Sequence, residues 1–189
     1  MATFYTIDRL GTLRPGLTVE LSREFENCQF HTTHDGPSRA ELESHLRELF
    51  PEGLTSHGKF YLLNHQLANP TWTPGVAGGP LVPVSPMIEL IYELVRRSDF
   101  PSRPSRYASM FALETIEEAV KFRQRAQWQG RILEVEPTSM FRADMNQLKI
   151  GASGIAGLLH AKRYWEGTAS QAPIWEYLLQ GPIRVLREV

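Results

Sequence analysis

Apolar residues recur at helical spacing in several stretches of the chain, and each stretch opens with a residue that favours a helix N-terminus. Ser38 with Glu41, and Thr115 with Glu118, have the spacing of a capping box, in which each side chain accepts a hydrogen bond from the other residue's backbone N–H. Ser153 is the expected cap of a further helix that begins in a glycine-rich stretch. These caps predict helices that begin near residues 39, 116 and 154.

Another helix is predicted after the Pro- and Gly-rich stretch 69–83, which we interpret as an ordered loop within one domain. Ser85-Pro86 has the composition of a cap followed by a first helical turn, and Arg96-Arg97 lie near the expected C-terminus. Apolar residues follow the cap on one side of the helix, so the pattern predicts an amphipathic element.

Alternation of apolar and polar residues predicts strands in the remaining stretches. The expected strands are, in chain order, two within 4–21 around a turn at Arg14-Pro15-Gly16, then 107–113, 131–136, 174–179 and 183–186. The last two are expected to form a terminal hairpin joined at Gln180-Gly181-Pro182.

This mixed order of strands and helices favours an α+β fold over a doubly wound parallel sheet, which would show regular strand and helix alternation. No unit repeats at a fixed period, so a solenoid is not expected. The chain has 189 residues, of which 42% are hydrophobic and 22% charged. These values are typical of a globular protein, and we expect a single domain over residues 1–189.

Charge and cysteine content restrict the partners and the location. A formal net charge of -1 gives no global field that would attract nucleic acid or an anionic membrane. Asp8 and Arg9 follow only a short apolar stretch, so no signal peptide is expected. The lone Cys28 has no partner for an internal disulfide, which suits a reducing compartment. We therefore expect a cytoplasmic protein that does not engage a membrane.

Common metal and catalytic motifs have little support in the sequence. Cys28, His31 and His34 have ligand-like spacing, but a structural zinc site normally has a fourth ligand, so a polar loop is the better interpretation. The glycine run over 151–157 matches neither the P-loop nor the dinucleotide spacing and favours close helix packing. The sequence contains no G-x-S-x-G or H-E-x-x-H pattern, so common hydrolase and zincin classes lose support.

Two predicted strands carry polar groups where a strand that crosses the core favours apolar ones. Arg106 and Ser109 lie directly ahead of a capped helix, and Glu176 lies between apolar and aromatic neighbours. A partly buried carboxylate needs partners, and perturbed carboxylates occur in structural networks as well as at functional sites. The residues alone leave a structural and a catalytic role equally open for Ser109 and Glu176.

Taken in chain order, these segments resemble the Arg-Ser-Glu pattern of the toxin-like branch of the ADP-ribosyltransferase superfamily. The matching residues are Arg9 on the first strand, Ser109 on a middle strand beside a helix, and Glu176 on a late strand. The chain also resembles an uncharacterised bacterial family that is remotely similar to these enzymes. The resemblance spans nearly the whole chain and implies two packed, mainly antiparallel β-sheets with flanking helices.

The resemblance also implies a substrate and a site. NAD would be the substrate, with Glu176 stabilising the positive charge that develops on the ribose and Ser109 orienting Glu176. Arg9 would bind the pyrophosphate through its fork of donors. Arg106 would contribute to the cofactor site, and Tyr107 would flank the nicotinamide unless it serves only in the core. No metal is expected.

Two departures from the family's pattern keep other functions open. Met110-Phe111 follow Ser109 where the family often has Thr-Ser, and Ile174 stands where many members have Gln or Glu to engage the acceptor. We therefore expect an ADP-ribosyltransferase that acts on an unidentified protein or nucleic acid. An NAD glycohydrolase and a noncatalytic binding module on the same fold are the alternatives, and an inhibitory partner protein is compatible with each.

Overall fold

Two antiparallel β-sheets form the frame of the structure, a computed structural model that describes residues 2–31, 34, 36–64 and 84–189. The first sheet contains, in spatial order, β1 (Phe4–Asp8), β4 (Arg131–Glu136), β7 (Ile183–Glu188) and β2 (Thr18–Val19). The second contains β3 (Met110–Ala112), β6 (Trp175–Gln180) and β5 (Ser139–Asp144). An isolated bridge between Tyr5 and Leu113, together with a hydrogen bond from the Thr6 hydroxyl to the carbonyl of Phe111, links β1 to β3 and the residue that follows it.

Five α-helices accompany these sheets within the described residues. They are α1 (Arg39–Leu49), α2 (Ser56–Lys59), α3 (Val84–Asp99), α4 (Ile116–Arg125) and α5 (Gly154–Glu166). The predicted α+β class with two antiparallel sheets is confirmed. In the part of the chain that the structure describes, none of the helices has the length and apolar character needed to cross a membrane.

The predicted helix starts are confirmed at three of the four caps. Both capping boxes are formed at α1 and α4, and the Ser153 hydroxyl accepts from the backbone N–H of Ala156 at the start of α5. The predicted cap at Ser85 is wrong, because α3 already begins at Val84 and places Ser85 inside its first turn.

The two strands predicted at the end of the chain are present, but the predicted pairing between them is wrong. β6 and β7 do not form a hairpin, because β6 pairs with β3 and β5 while β7 pairs with β2 and β4 of the other sheet. The predicted strand 107–113 is shorter than expected, since Arg106–Ala108 form a 3₁₀ turn ahead of β3. β5 was not predicted from the sequence pattern.

The sheets pack face to face, and α3, α4 and α5 cover their outer faces. Phe4 and Tyr177 meet across the sheets with ring centroids 4.7 Å apart, in the core between them. α4 packs on the outer face of the first sheet through Ala119, and α3 and α5 pack on the outer face of the second. Because side chains alternate along a strand, Tyr177 of β6 faces the other sheet while its neighbour Glu176 faces α3 and α5.

Candidate active site

Glu176 is the second residue of β6 and is only 5% exposed. Its Oε1 accepts hydrogen bonds from Nη1 of Arg106 at 2.6 Å and from the hydroxyl of Tyr164, on α5, at 2.7 Å. Charge-assisted hydrogen bonds of this kind are stronger than neutral ones. The sequence-based expectation of a partly buried carboxylate with partners is therefore confirmed.

The loop that leads into β6 is fixed by Asp144, which has no exposed surface. Its carboxylate accepts from the backbone N–H groups of Asn146, Ser170 and Ile174 at 3.0, 2.8 and 3.0 Å. Burial alone would raise the pKa of Asp144, but these hydrogen bonds outweigh it and lower the pKa. The position of Glu176 at the start of β6 is thus set by a buried anchor.

Arg106 lies on the 3₁₀ turn ahead of β3 and is 5% exposed. Its Nε and Nη2 donate to the two carboxylate oxygens of Glu89 at 2.8 and 2.9 Å, and its Nη1 donates to both Glu176 and Tyr164. Four of the five N–H groups of the guanidinium are therefore occupied. One N–H group is left, so Arg106 has no free pair of donors for NAD, and the cofactor-binding role predicted for it is not supported by this arrangement.

Glu89, on α3, completes the set that we call the Glu176 cluster: Glu89, Arg106, Tyr164 and Glu176. Burial alone would raise the pKa of Glu89, but Arg106 and His57 more than offset it and lower the pKa to about 2. Burial also disfavours the charged form of Arg106, yet Glu176 and Glu89 raise its pKa well above the ordinary value. Glu89 is therefore ionised at neutral pH.

His57, on α2, lies at the edge of the cluster. Its Nε2 is 3.3 Å from Oε1 of Glu89, and its ring lies 4.6 Å from the rings of both Tyr61 and Phe111. Among the described residues this nitrogen is the buried side-chain polar atom that lacks a well-aligned hydrogen bond. The contact with Glu89 is therefore an ion-pair distance without hydrogen-bond geometry.

The Ser109 hydroxyl makes no described hydrogen bond to Glu176, contrary to the orienting role expected for it, and Tyr107 serves in the core, which is the alternative left open for it. The Ser109 hydroxyl donates to the carbonyl of Ser105 at 2.7 Å, because the 3₁₀ turn brings that carbonyl within reach. Tyr107 is 1% exposed, and its ring packs edge-on against Phe50 in a core with α1. The hydroxyl that contacts Glu176 belongs to Tyr164 instead.

Arg9 lies away from the Glu176 cluster, at the opposite helical layer. Its exposed guanidinium stacks on Trp128, 4.1 Å from the ring centroid, and Trp128 packs on Phe122 of α4. Glu176 faces α3 and α5, so the expected convergence of Arg9 with Glu176 is not found among the described contacts. The reason is local: β1 ends at Asp8, whose carboxylate accepts from backbone N–H groups just beyond Arg9 and turns the chain.

The sequence interpretation missed Glu89 and Tyr164. Glu89 stands on an apolar helix with a second carboxylate, Glu93, four residues later, and like charges at this spacing repel. Glu93 has Arg96 and Arg97 three and four residues later, whereas Glu89 has no basic residue at these spacings, which indicates that the partner of Glu89 lies outside α3. Tyr164 gave no comparable indication, because a tyrosine on the apolar face of a helix is usually a core residue.

Metal binding has no support in the described part of the chain, where no three His, Cys, Asp or Glu residues are placed to hold an ion together. His31 contacts the carbonyl of Asn64 through its ring at 3.2 Å, and Cys28 is buried. The residues on either side of His34 lie outside the described part of the chain, so the predicted polar loop is described only in part.

Comparison with known proteins places the chain in a family. A family model described as "Protein of unknown function (DUF2441)" matches residues 4–189, so the chain belongs to this family. No curated protein matches the chain. The family match spans every residue of the Glu176 cluster, and the family's description names no activity.

Proposed function

We propose that this member of the DUF2441 family is an NAD-dependent ADP-ribosyltransferase that acts in the cytoplasm on an unidentified protein or nucleic acid. The observation that carries the proposal is the Glu176 carboxylate on β6, held in one orientation by Arg106 and Tyr164. A carboxylate fixed before the reaction is suited to stabilise charge that develops only in the transition state.

In the proposed reaction the bond between C1′ of the ribose and the nicotinamide nitrogen breaks, and the electron pair leaves with nicotinamide. Positive charge then develops on the ribose, where the negative charge of Glu176 stabilises it. The acceptor's nucleophile bonds to C1′ and its proton passes to solvent. Both hydrogen bonds to Glu176 fall on Oε1, so Oε2 has no hydrogen bond to a described residue and is the oxygen assigned to a ribose hydroxyl.

In this proposal Arg106 and Tyr164 orient the Glu176 carboxylate, a role that the family resemblance gives to Ser109. The pyrophosphate role suggested for Arg9 by the family resemblance is not kept. Arg9 stacks on Trp128 beside α4, whereas Glu176 faces α3 and α5 on the opposite layer, and the pyrophosphate of NAD lies only a few bonds from the nicotinamide ribose.

Incubation of the purified protein with labelled NAD and a cell lysate, followed by separation of protein and nucleic acid, tests the proposal. Label on either fraction, absent when Glu176→Gln replaces the wild type, supports transfer. Free ADP-ribose without labelled macromolecule indicates an NAD glycohydrolase. NAD that stays intact contradicts both enzymatic functions.

A noncatalytic binding module on the same fold is the second candidate, and the burial of the Glu176 cluster favours it. Glu176 and Arg106 are each 5% exposed and are paired with each other, as in a structural ion pair. Such a module would keep the cluster for packing and bind its partner elsewhere. Intact NAD in the labelling experiment, together with a folded Glu176→Gln variant, is the result that this candidate predicts.

A further inference from the structure

We infer that Glu89 is the positioning residue for Glu176 and that it acts through Arg106. Glu89 on α3 holds the guanidinium by two parallel hydrogen bonds, and the guanidinium in turn holds Glu176 on β6. The catalytic consequence rests on the proposed function, whereas the structural coupling of the two carboxylates does not.

The geometry of the guanidinium carries the first step. Because the group is planar, the two bonds from Nε and Nη2 to Glu89, at 2.8 and 2.9 Å, fix its plane and its rotation. Once the plane is fixed, Nη1 has a single direction, and in that direction lie Oε1 of Glu176 and the hydroxyl of Tyr164. Glu89 therefore determines where the donor to Glu176 lies.

Packing around the guanidinium carries the second step. The ring of Phe111 lies 4.5 Å from Cζ of Arg106, and the ring of Tyr164 lies 5.3 Å from it. Arg106 has only 5% of its surface exposed, so these rings and its carboxylate partners enclose the guanidinium. The orientation set by Glu89 is thus retained.

The distribution of charge carries the third step. Two carboxylates share one guanidinium, while His57 lies 3.3 Å from Glu89. Among the described ion pairs, Arg106 is therefore the cation at Glu176, and it is shared with Glu89. Without the charge on Glu89, the positive charge of Arg106 acts on Glu176 alone and offsets the charge of the carboxylate that must stabilise the ribose. Glu89 therefore leaves part of the negative charge of Glu176 uncompensated.

Glu89→Gln tests the inference, with Glu93→Gln as the matched control. Glu93 lies one turn further along α3, is 4% exposed and is bound by Arg96, Arg97 and the hydroxyl of Ser105, but has no described hydrogen bond or ion pair with Arg106 or Glu176. Two readouts are needed: the ¹³C resonance of the Glu176 side-chain carboxyl, assigned by its loss in Glu176→Gln, and kcat and KM for nicotinamide release from NAD.

We expect Glu89→Gln to shift the Glu176 resonance and to lower kcat about tenfold or more, with little change in KM, because the interaction matters in the transition state. Glu93→Gln should leave the resonance and both constants close to those of the wild type. Glu89→Asp, which keeps the charge with a shorter reach, should give an intermediate shift and also serves if Glu89→Gln does not fold.

An unshifted Glu176 resonance in Glu89→Gln and Glu89→Asp overturns the inference. Equal shifts in Glu89→Gln and Glu93→Gln overturn it as well, since they indicate a general effect of losing a buried charge on α3. If wild-type protein releases no nicotinamide, the proposed function fails, and the resonance alone still decides whether Glu89 positions Glu176.

Discussion

Helix α3 carries two buried clusters of Arg and Glu, one turn apart, that are built from the same residue types but connected differently. In the Glu176 cluster, Glu89 shares Arg106 with a second carboxylate on a strand of the sheet. In the other, Glu93 alone receives the guanidinium groups of Arg96 and Arg97. One cluster therefore has an excess of carboxylate and the other an excess of guanidinium.

The two clusters differ in the groups that their remaining charged atoms contact. Arg96 also donates to the carbonyl of Arg103 at 3.0 Å, and Arg97 donates to the carbonyl of Leu49 at 2.9 Å, so the Glu93 cluster ends on backbone oxygens. Its role is to tie the loop after α3 and the end of α1 to the helix. In the Glu176 cluster the described partners of both carboxylates are side chains: Arg106 for both, Tyr164 for Glu176 and His57 beside Glu89.

This difference separates a structural network from a candidate site. Buried ion pairs as such are weak indicators of function, because many only hold a fold together. The informative feature is a buried carboxylate on a strand that receives hydrogen bonds from its neighbours while its guanidinium partner is shared with a second carboxylate. That feature is present at Glu176 and absent at Glu93 among the described contacts.

The largest expected effect is on stability, when Arg106→Met is compared with Arg96→Met. Removal of Arg106 leaves Glu89 and Glu176 buried without their main partner, which should cost about 3–5 kcal/mol. Removal of Arg96 leaves Glu93 bound by Arg97 and Ser105, so the loss should be about half as large. Urea denaturation of both variants measures the difference. Equal losses would show that the two clusters are energetically alike.

Acid should weaken the Glu176 cluster through Glu89. Because its pKa is lowered from 4.5 to about 2 in the folded protein, Glu89 contributes stability that is fully present above about pH 5. That contribution, on the order of 3 kcal/mol, is lost as the pH falls through about 2. The difference in unfolding free energy between the wild type and Glu89→Gln should shrink over this range. A difference that stays constant from pH 5 to pH 2 contradicts the assignment.

Tyr164→Phe and Ser109→Ala identify which hydroxyl orients Glu176. Tyr164→Phe loses two buried hydrogen bonds, one donated to Glu176 and one accepted from Arg106, and should be destabilised by about 2 kcal/mol. Ser109→Ala loses one and should be destabilised by about 1 kcal/mol. Only Tyr164→Phe removes a donor to Glu176, so it should lower kcat for nicotinamide release several-fold while Ser109→Ala leaves kcat unchanged. A loss of kcat in Ser109→Ala alone would restore the role expected from the family pattern.

The smallest expected effect concerns Arg9, which lies on the helical layer opposite to the one that Glu176 faces. Arg9→Ala should leave the affinity for NAD close to that of the wild type, because Arg9 is not placed to contact a dinucleotide bound at Glu176. Arg103→Ala, which removes another exposed guanidinium stacked on an aromatic ring, is the control. Calorimetry that shows a several-fold weaker affinity for Arg9→Ala, with Arg103→Ala unchanged, would restore the phosphate role expected from the family pattern.

Local features of the sequence predicted the helices well and the sheet connections poorly. The capping boxes at Ser38 and Thr115 are formed by residues three apart, so they can be predicted from the sequence without knowledge of the fold. The connection through Gly181-Pro182 is equally compatible with a hairpin and with passage to another sheet. β5 was missed because Ser139–Asp144 mixes exposed and buried residues without a β-branched run.

The candidate site was predicted in part, for the same reason. Glu176 was visible as a carboxylate among apolar strand residues, whereas its connection to Glu89 spans two elements far apart in sequence and depends on how α3 packs on the sheet. Arg106 was found but given a cofactor role, because its sequence context does not reveal that Glu89 and Glu176 occupy its donors. Partners of buried charges are set by tertiary packing, which a local pattern does not encode.

The most direct test of the central claim is nicotinamide release from NAD by the wild type and by Glu176→Gln, with the melting temperature of each. Gln keeps the shape and reach of the side chain but removes the charge, and Arg106 keeps both hydrogen bonds to Glu89. The account predicts a folded variant whose rate falls about a hundredfold or more, equivalent to a few kcal/mol of barrier. Wild-type turnover that survives Glu176→Gln unchanged, with only a lower melting temperature, would contradict the catalytic assignment.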